Sequence, residues 1–100
     1  VVRELEYLAE ALTEAEAAAR WYAERSPAAG VGFDDEVEAA EAAIAAHPEA
    51  WPRFDHGTRR YLLRRYPFSI VYQFDVNRIV IVAVAHAKRR PGYWKHRRAV

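Results

Sequence analysis

The sequence predicts an α+β fold: an N-terminal strand, an antiparallel α-hairpin, then a three-stranded antiparallel meander forming one sheet packed on the helices. Three observations carry this reading. Apolar residues alternate with polar ones at the N-terminus, take helical spacing through the next third of the chain, and return to alternation in the second half. Two dipeptides, Ser26-Pro27 and His47-Pro48, cut the helical stretch in two, because a residue preceding proline avoids the α region. The run from Ile79 to Ala85 is apolar throughout, as expected of a strand covered on both faces.

Each element follows in order. Residues 3–8 place Leu5 and Tyr7 on one side and Glu4 and Glu6 on the other, a half-buried strand. Thr13 followed by Glu16 fits a capping box, so the first helix is expected to start near Glu14. Ala15, Ala18, Ala19 and Tyr22 form its apolar face, and the adjacent Trp21 and Tyr22 cannot both point into a core. Gly30 and Gly32 mark the expected turn, and a second helix follows with Phe33, Val37, Ala40 and Ile44 inward. Residues 48–58 read as irregular. Strands resume at Arg59 to Arg65, then at Phe68 to Phe74, where Phe68, Ile70, Tyr72 and Phe74 alternate with Ser69, Val71 and Gln73. Asp75-Val76-Asn77 is a tight hairpin loop into the last strand, Arg78 to Ala85.

One hundred residues make one domain, and a 52% hydrophobic content suffices for one packed core. There is no cysteine, which excludes a disulfide framework and thiolate zinc sites and suits a reducing cytosol. Arg3, Glu4 and Glu6 break any signal-peptide pattern, and the longest apolar run is far short of the roughly 20 residues that cross a bilayer. The expectation is a cytoplasmic protein without membrane contact.

Net charge is only +1, but it is sharply polarised. The first fifty residues carry three basic against twelve acidic residues, and the second fifty carry twelve basic against two acidic. Such asymmetry points to an anionic partner for the basic half, or to internal pairing of acidic helices with a basic sheet. On the strand from Arg59, the pair Arg60 and Arg64 shares one face, with guanidinium forks suited to phosphate. After the last strand, His86, Lys88, Arg89, Arg90, Tyr93, Trp94, Lys95, His96 and Arg97 crowd around a Pro-Gly turn. Cations interleaved with stacking aromatics are the usual equipment for single-stranded nucleic acid. His47, His56, His86 and His96 show no i, i+4 pair and no carboxylate cluster, so no metal or cofactor is expected.

Four segments, in order, resemble one family. They are Ala18-Ala19-Arg20-Trp21-Tyr22 through Arg25-Ser26-Pro27; Ile44 through His47-Pro48-Glu49; Arg59-Arg60-Tyr61-Leu62 through Tyr66-Pro67-Phe68; and Val82-Ala83-Val84-Ala85-His86 through Arg89, Pro91, Tyr93, Trp94 and Arg97. Together they resemble the RelE/ParE superfamily of bacterial toxins. The resemblance implies a toxin of a type II toxin–antitoxin pair, held by a cognate antitoxin, as a homodimer or a toxin–antitoxin heterotetramer. It leaves two targets open. A RelE-like member would cut messenger RNA in the ribosome without metal, with Arg89 or Arg90 stabilising the phosphorane and His86, Tyr93 or His96 moving protons. A ParE-like member would inhibit DNA gyrase, with Arg60, Arg64, Lys88, Trp94, Lys95, His96 and Arg97 as a binding surface. Middle-strand arginines where many RelE-type ribonucleases carry lysines favour the ParE branch, since arginine is a poor base. A decayed homologue acting only as a binding module is the third possibility.

Overall fold

The computed structural model describes residues 3–97. Strand β1 (Glu4–Tyr7) runs straight into helix α1 (Ala9–Arg25), followed by α2 (Pro27–Ala46), β2 (Arg53–Phe54), β3 (Thr58–Leu62), β4 (Phe68–Phe74) and β5 (Arg78–His86). The strands make one mixed sheet in the order β1-β5-β4-β3-β2, with β1 parallel to β5 and the remaining pairs antiparallel. The helical hairpin covers one face. The sequence reading anticipates every strand except β2, a two-residue edge pair inside the stretch read as irregular.

Two helix starts differ from expectation. α1 begins at Ala9, five residues before Glu14, with extended Leu8 at its N-cap and no side-chain cap. The Leu8 amide is already donated to the Ile81 carbonyl at 3.0 Å, so docking of β1 on β5 sets where the helix must begin. Thr13 and Glu16 therefore lie inside the helix. α2 begins at Pro27, and Gly30 and Gly32 belong to it rather than to a turn. The whole connection is Ser26. Its amide closes α1 on the Tyr22 carbonyl (2.9 Å), and its Oγ accepts from the Ala29 amide (3.3 Å) to open α2, with Pro27 at the first helical position. The glycines permit close approach instead. A Cβ on Gly30 would sit 2.7 Å from the Ala23 Cβ, and one on Gly32 would sit 2.5 Å from the Tyr66 hydroxyl.

The main core lies between helices and sheet, around Phe33, Ile44, Ile70, Tyr72, Ile79 and Ile81. Tyr22, Phe33, Tyr66 and Phe68 form an aromatic group at one end, with ring centroids 4.8–6.4 Å apart. Trp21, the neighbour of Tyr22, is half exposed under the Arg25 guanidinium. A second, smaller core on the opposite face joins Val71, Val82, Ala83 and Trp94. That second layer is why β5 is apolar throughout Ile79 to Ala85.

A β-bulge changes the parity of β5. Val71 pairs with Ala83 and Tyr72 with Ile81, which leaves Val82 as the extra residue. Before it, Ile79 and Ile81 face the helices; after it, Val84 does, while Val82 and Ala83 both face the second core. The strand end is thereby turned so that the His86 ring stands edge-on to Phe68 at 5.0 Å.

β3 also stops earlier than the sequence suggests. The Arg64 and Arg65 amides both donate to the Glu36 carboxylate in the middle of α2, so these residues leave the sheet for the helix. Arg60 and Arg64, expected on one strand face, are thus separated.

Candidate functional site

Residues 87–97 fold back over the end of β5 in successive turns, closed by amides of Arg89, Tyr93, Lys95 and Arg97 on carbonyls three residues earlier. Gly92 takes a positive φ of 74°, which allows the reversal without strain. What holds this segment is one carboxylate, Glu14 on α1. It accepts from the Tyr93 hydroxyl (2.6 Å), from both Arg97 terminal nitrogens (3.0 and 2.9 Å) and from the Val84 amide (3.0 Å). Arg97 also donates to the Val82 carbonyl at 2.9 Å. β1 ends opposite Ile81, so Glu14 and Arg97 satisfy the edge of β5 where no strand continues.

The electrostatics follow from this geometry. Burial pushes the Glu14 carboxyl up, but the Arg97 and Tyr93 hydrogen bonds and the Val84 amide outweigh it and hold it below the ordinary carboxylate value. Burial and then the Glu14 hydrogen bond push the Tyr93 hydroxyl well above its usual value. Arg97 is held more strongly protonated by Glu14. Glu14 was not among the residues singled out by sequence. Its signal was its place between Ala11 and Ala18 on the inward stripe of α1, where a carboxylate needs a partner.

The candidate residues divide three ways. Arg60, His86, Arg89, Arg90, Tyr93 and Trp94 line one shallow groove of about 100 Å³ on the face away from the helices, with Ser69 and Phe54. Arg60 lies over the Phe54 ring at 4.1 Å and Arg89 over Tyr93 at 3.8 Å, which presents two guanidiniums on aromatic supports. Trp94 is 3% exposed and packs against Phe54 and the edge of His56, so it floors the groove. Lys88, Lys95 and His96 are exposed beside it. Arg64 lies apart beside Glu36 in the middle of α2, and Arg97 is enclosed with Glu14.

His86 stands between two cavities. Its Nδ1 accepts from the Lys88 amide (3.0 Å), and its ring also borders a groove of about 430 Å³ between α1 and β5, with Trp21, Tyr22, Phe68, Val84 and Arg89. Among the described residues no group of three or more histidine or acidic side chains could hold a metal ion, and no helix is long and apolar enough to cross a membrane.

Charge pairing between the halves is sparse. Among the described residues, the ion pairs joining the acidic hairpin to the basic half beyond β1 are Arg65–Glu36 and Arg97–Glu14. Internal neutralisation therefore does not account for the basic surface.

A family model described as the ParE toxin of the type II toxin–antitoxin system parDE matches residues 5–91. This chain belongs to the ParE toxin family. Its fold is also that of a solved structure described as a chromosomal ParDE toxin–antitoxin system from P. aeruginosa, with a TM-score of 0.74 at 16% identity, covering 87% of this chain and 98% of the other. No curated protein matches by sequence. The ParE match spans β1 through Pro91, so the Tyr93–Arg97 clasp on Glu14 falls beyond the matched residues.

Proposed function

We propose that this ParE-family toxin arrests growth by binding DNA gyrase in the cytoplasm, without breaking a bond itself, until a cognate antitoxin covers it. The observation that carries this reading is the engagement of Tyr93. Its hydroxyl already donates to Glu14, and its proton is held more tightly than in a free phenol. A phenol in that state is a poor proton shuttle for RNA cleavage, where a catalytic group is best poised near the working pH. The neighbouring cations Arg60, Lys88, Arg89 and Arg90 remain outside ion pairs among the described residues and supply a binding surface.

The second reading, a ribosome-dependent endonuclease, has the convergence of Arg60, Arg89 and Arg90 beside His86 in its favour. Three guanidiniums and an imidazole are the parts for stabilising a phosphorane and moving a proton. Purified gyrase decides between them. Loss of supercoiling on adding the toxin, with messages left intact in a purified translation system, is the expected result. Unimpaired supercoiling at high toxin excess, together with codon-positioned cuts abolished by Arg90→Ala, establishes the nuclease instead.

A further inference from the structure

His86 and Arg89 border the larger groove, of about 430 Å³, between α1 and β5. Glu14, Ala17, Ala18 and Trp21 line it at i, i+3, i+4 and i+7, so it follows α1 for about two turns, roughly 10 Å at the helical rise. Trp21, Tyr22 and Phe68 give it aromatic walls, and the buried Ala18 and Val84 close its base. Its volume is in the range of small-molecule sites, roughly 300–1,000 Å³.

The charged and polar groups at its edge are donors. His86 accepts the Lys88 amide at Nδ1, so its ring proton sits on Nε2, which has no hydrogen-bond partner among the described residues. The Arg89 guanidinium rests on the Tyr93 ring at 3.8 Å and is in no ion pair among the described residues. Glu14, the one carboxylate of this lining, already accepts four hydrogen bonds, two of them from Arg97. An occupant must therefore bring acceptors and negative charge at one end and flat apolar surface at the other.

That requirement is selective. An amino-bearing nucleobase would leave its donors against hydrocarbon, with the Tyr22 hydroxyl as the remaining side-chain acceptor of the lining. A peptide laid along β5 meets an edge already in use, because the Val84 amide donates to Glu14 and the Val82 carbonyl accepts from Arg97. A single guanidinium balances a single negative charge, which favours a carboxylate over a doubly charged phosphate.

We propose that the groove between α1 and β5 binds a small aromatic carboxylic acid. Its rings seat among Trp21, Tyr22 and Phe68, and its carboxylate accepts from Arg89 and from the His86 Nε2–H. The site does not depend on whether gyrase or RNA is the toxin's target. Arg89 and His86 also line the basic groove, so a bound acid takes two of the groups that groove offers.

The probe is naphthalene carboxylate, titrated into isotope-labelled protein at neutral pH and followed by the amide and indole N–H resonances. Its neutral carboxamide and its ring-saturated acid are titrated beside it. The probe is expected to shift the Trp21 indole and the Val84 and His86 amides, and to bind at least about tenfold more tightly than the carboxamide. The saturated acid is expected to bind about fivefold more weakly than the probe. Arg89→Gln should remove at least about tenfold of the affinity and Trp21→Ala about fivefold. Arg90→Gln, at a residue of the basic groove outside this lining, should leave the affinity unchanged. Trp21 and Arg89 are exposed, so the variant spectra should keep the dispersion of a folded protein. Equal affinity for acid and carboxamide, undiminished binding to Arg89→Gln or Trp21→Ala, or shifts confined to residues around Arg60 and Arg90 overturns the proposal. So does the absence of saturable binding at millimolar probe, or tighter binding of adenosine monophosphate, which would make the groove a nucleotide site.

Discussion

At the scale of single residues, Glu14 governs the C-terminal segment. Its side chain and that of Arg97 are 17% and 9% exposed, so removing the carboxylate leaves a guanidinium and the edge of β5 without a partner. Glu14→Ala should therefore cost about 3 kcal/mol, as for a broken buried pair. The readouts are the denaturation midpoint and faster amide exchange over residues 87–97. The pH dependence follows from the lowered pKa. A carboxyl held below its ordinary value of 4.5 contributes stability above that value, and this contribution is lost as pH falls through the lowered folded value. Trp94 fluorescence in the wild type should shift towards that of exposed indole over this acid range, whereas Glu14→Gln should show no such step. A wild-type Trp94 signal unchanged to pH 2 would contradict the latch. The sequence displayed every member of this cluster except its centre. Tyr93, Trp94 and Arg97 stand out as an aromatic-cationic tract, while Glu14 reads only as the expected start of the first helix.

At the scale of elements, the hairpin is determined by one capping serine and one close approach. Ser26 ends α1 and starts α2, and Gly30 lets the second helix touch the first at Ala23. Gly30→Ala should destabilise the protein by about 2 kcal/mol through overpacking, despite the better helix propensity of alanine. Ala23→Gly in the same chain should recover part of the loss, measured by denaturant unfolding of the two single variants and the double one. If Gly30→Ala raised stability, the contact would not be limiting. Proline and serine signals locate this junction from sequence, because capping and proline sterics are local. The glycines mislead for the converse reason. Their role is set by Ala23 and Tyr66, and Tyr66 lies more than thirty positions away.

At the scale of the whole molecule, three phenols tie the layers together. Tyr7 of β1 donates to Glu41 of α2, Tyr72 of β4 to the Pro48 carbonyl (2.6 Å), and Tyr93 to Glu14 of α1. Burial pushes each upward, Tyr72 to about 12 and the other two further. A group whose folded pKa is raised contributes stability below its unfolded value, here 10.0, and loses it as pH rises beyond. The denaturant midpoint should therefore fall between pH 9 and pH 11, and Tyr93→Phe should flatten part of that decline. A midpoint constant over this interval would mean that the phenols ionise freely in the folded state. The same view of the whole explains the charge polarity. The acidic hairpin and the basic half are joined by few ion pairs, so neither neutralises the other.

The order and type of the helices and of the strands other than β2, the two-sided burial of β5 and the Asp75–Asn77 hairpin were legible in the sequence. Hydrophobic period, proline sterics and Asx-turn chemistry act over a few neighbouring residues. The Asp75 carboxylate does accept from the Asn77 and Arg78 amides, as that local chemistry requires. Tertiary structure alone decided three things: the parallel docking of β1 beside β5, the bulge at Val82 that turns His86 towards Phe68, and the capture of Tyr93 and Arg97 by Glu14. Each joins residues far apart in the chain, and Glu14 and Arg97 are 83 positions apart. No local pattern encodes such a meeting; it exists only once the sheet edge, the helix and the tail are packed in one place.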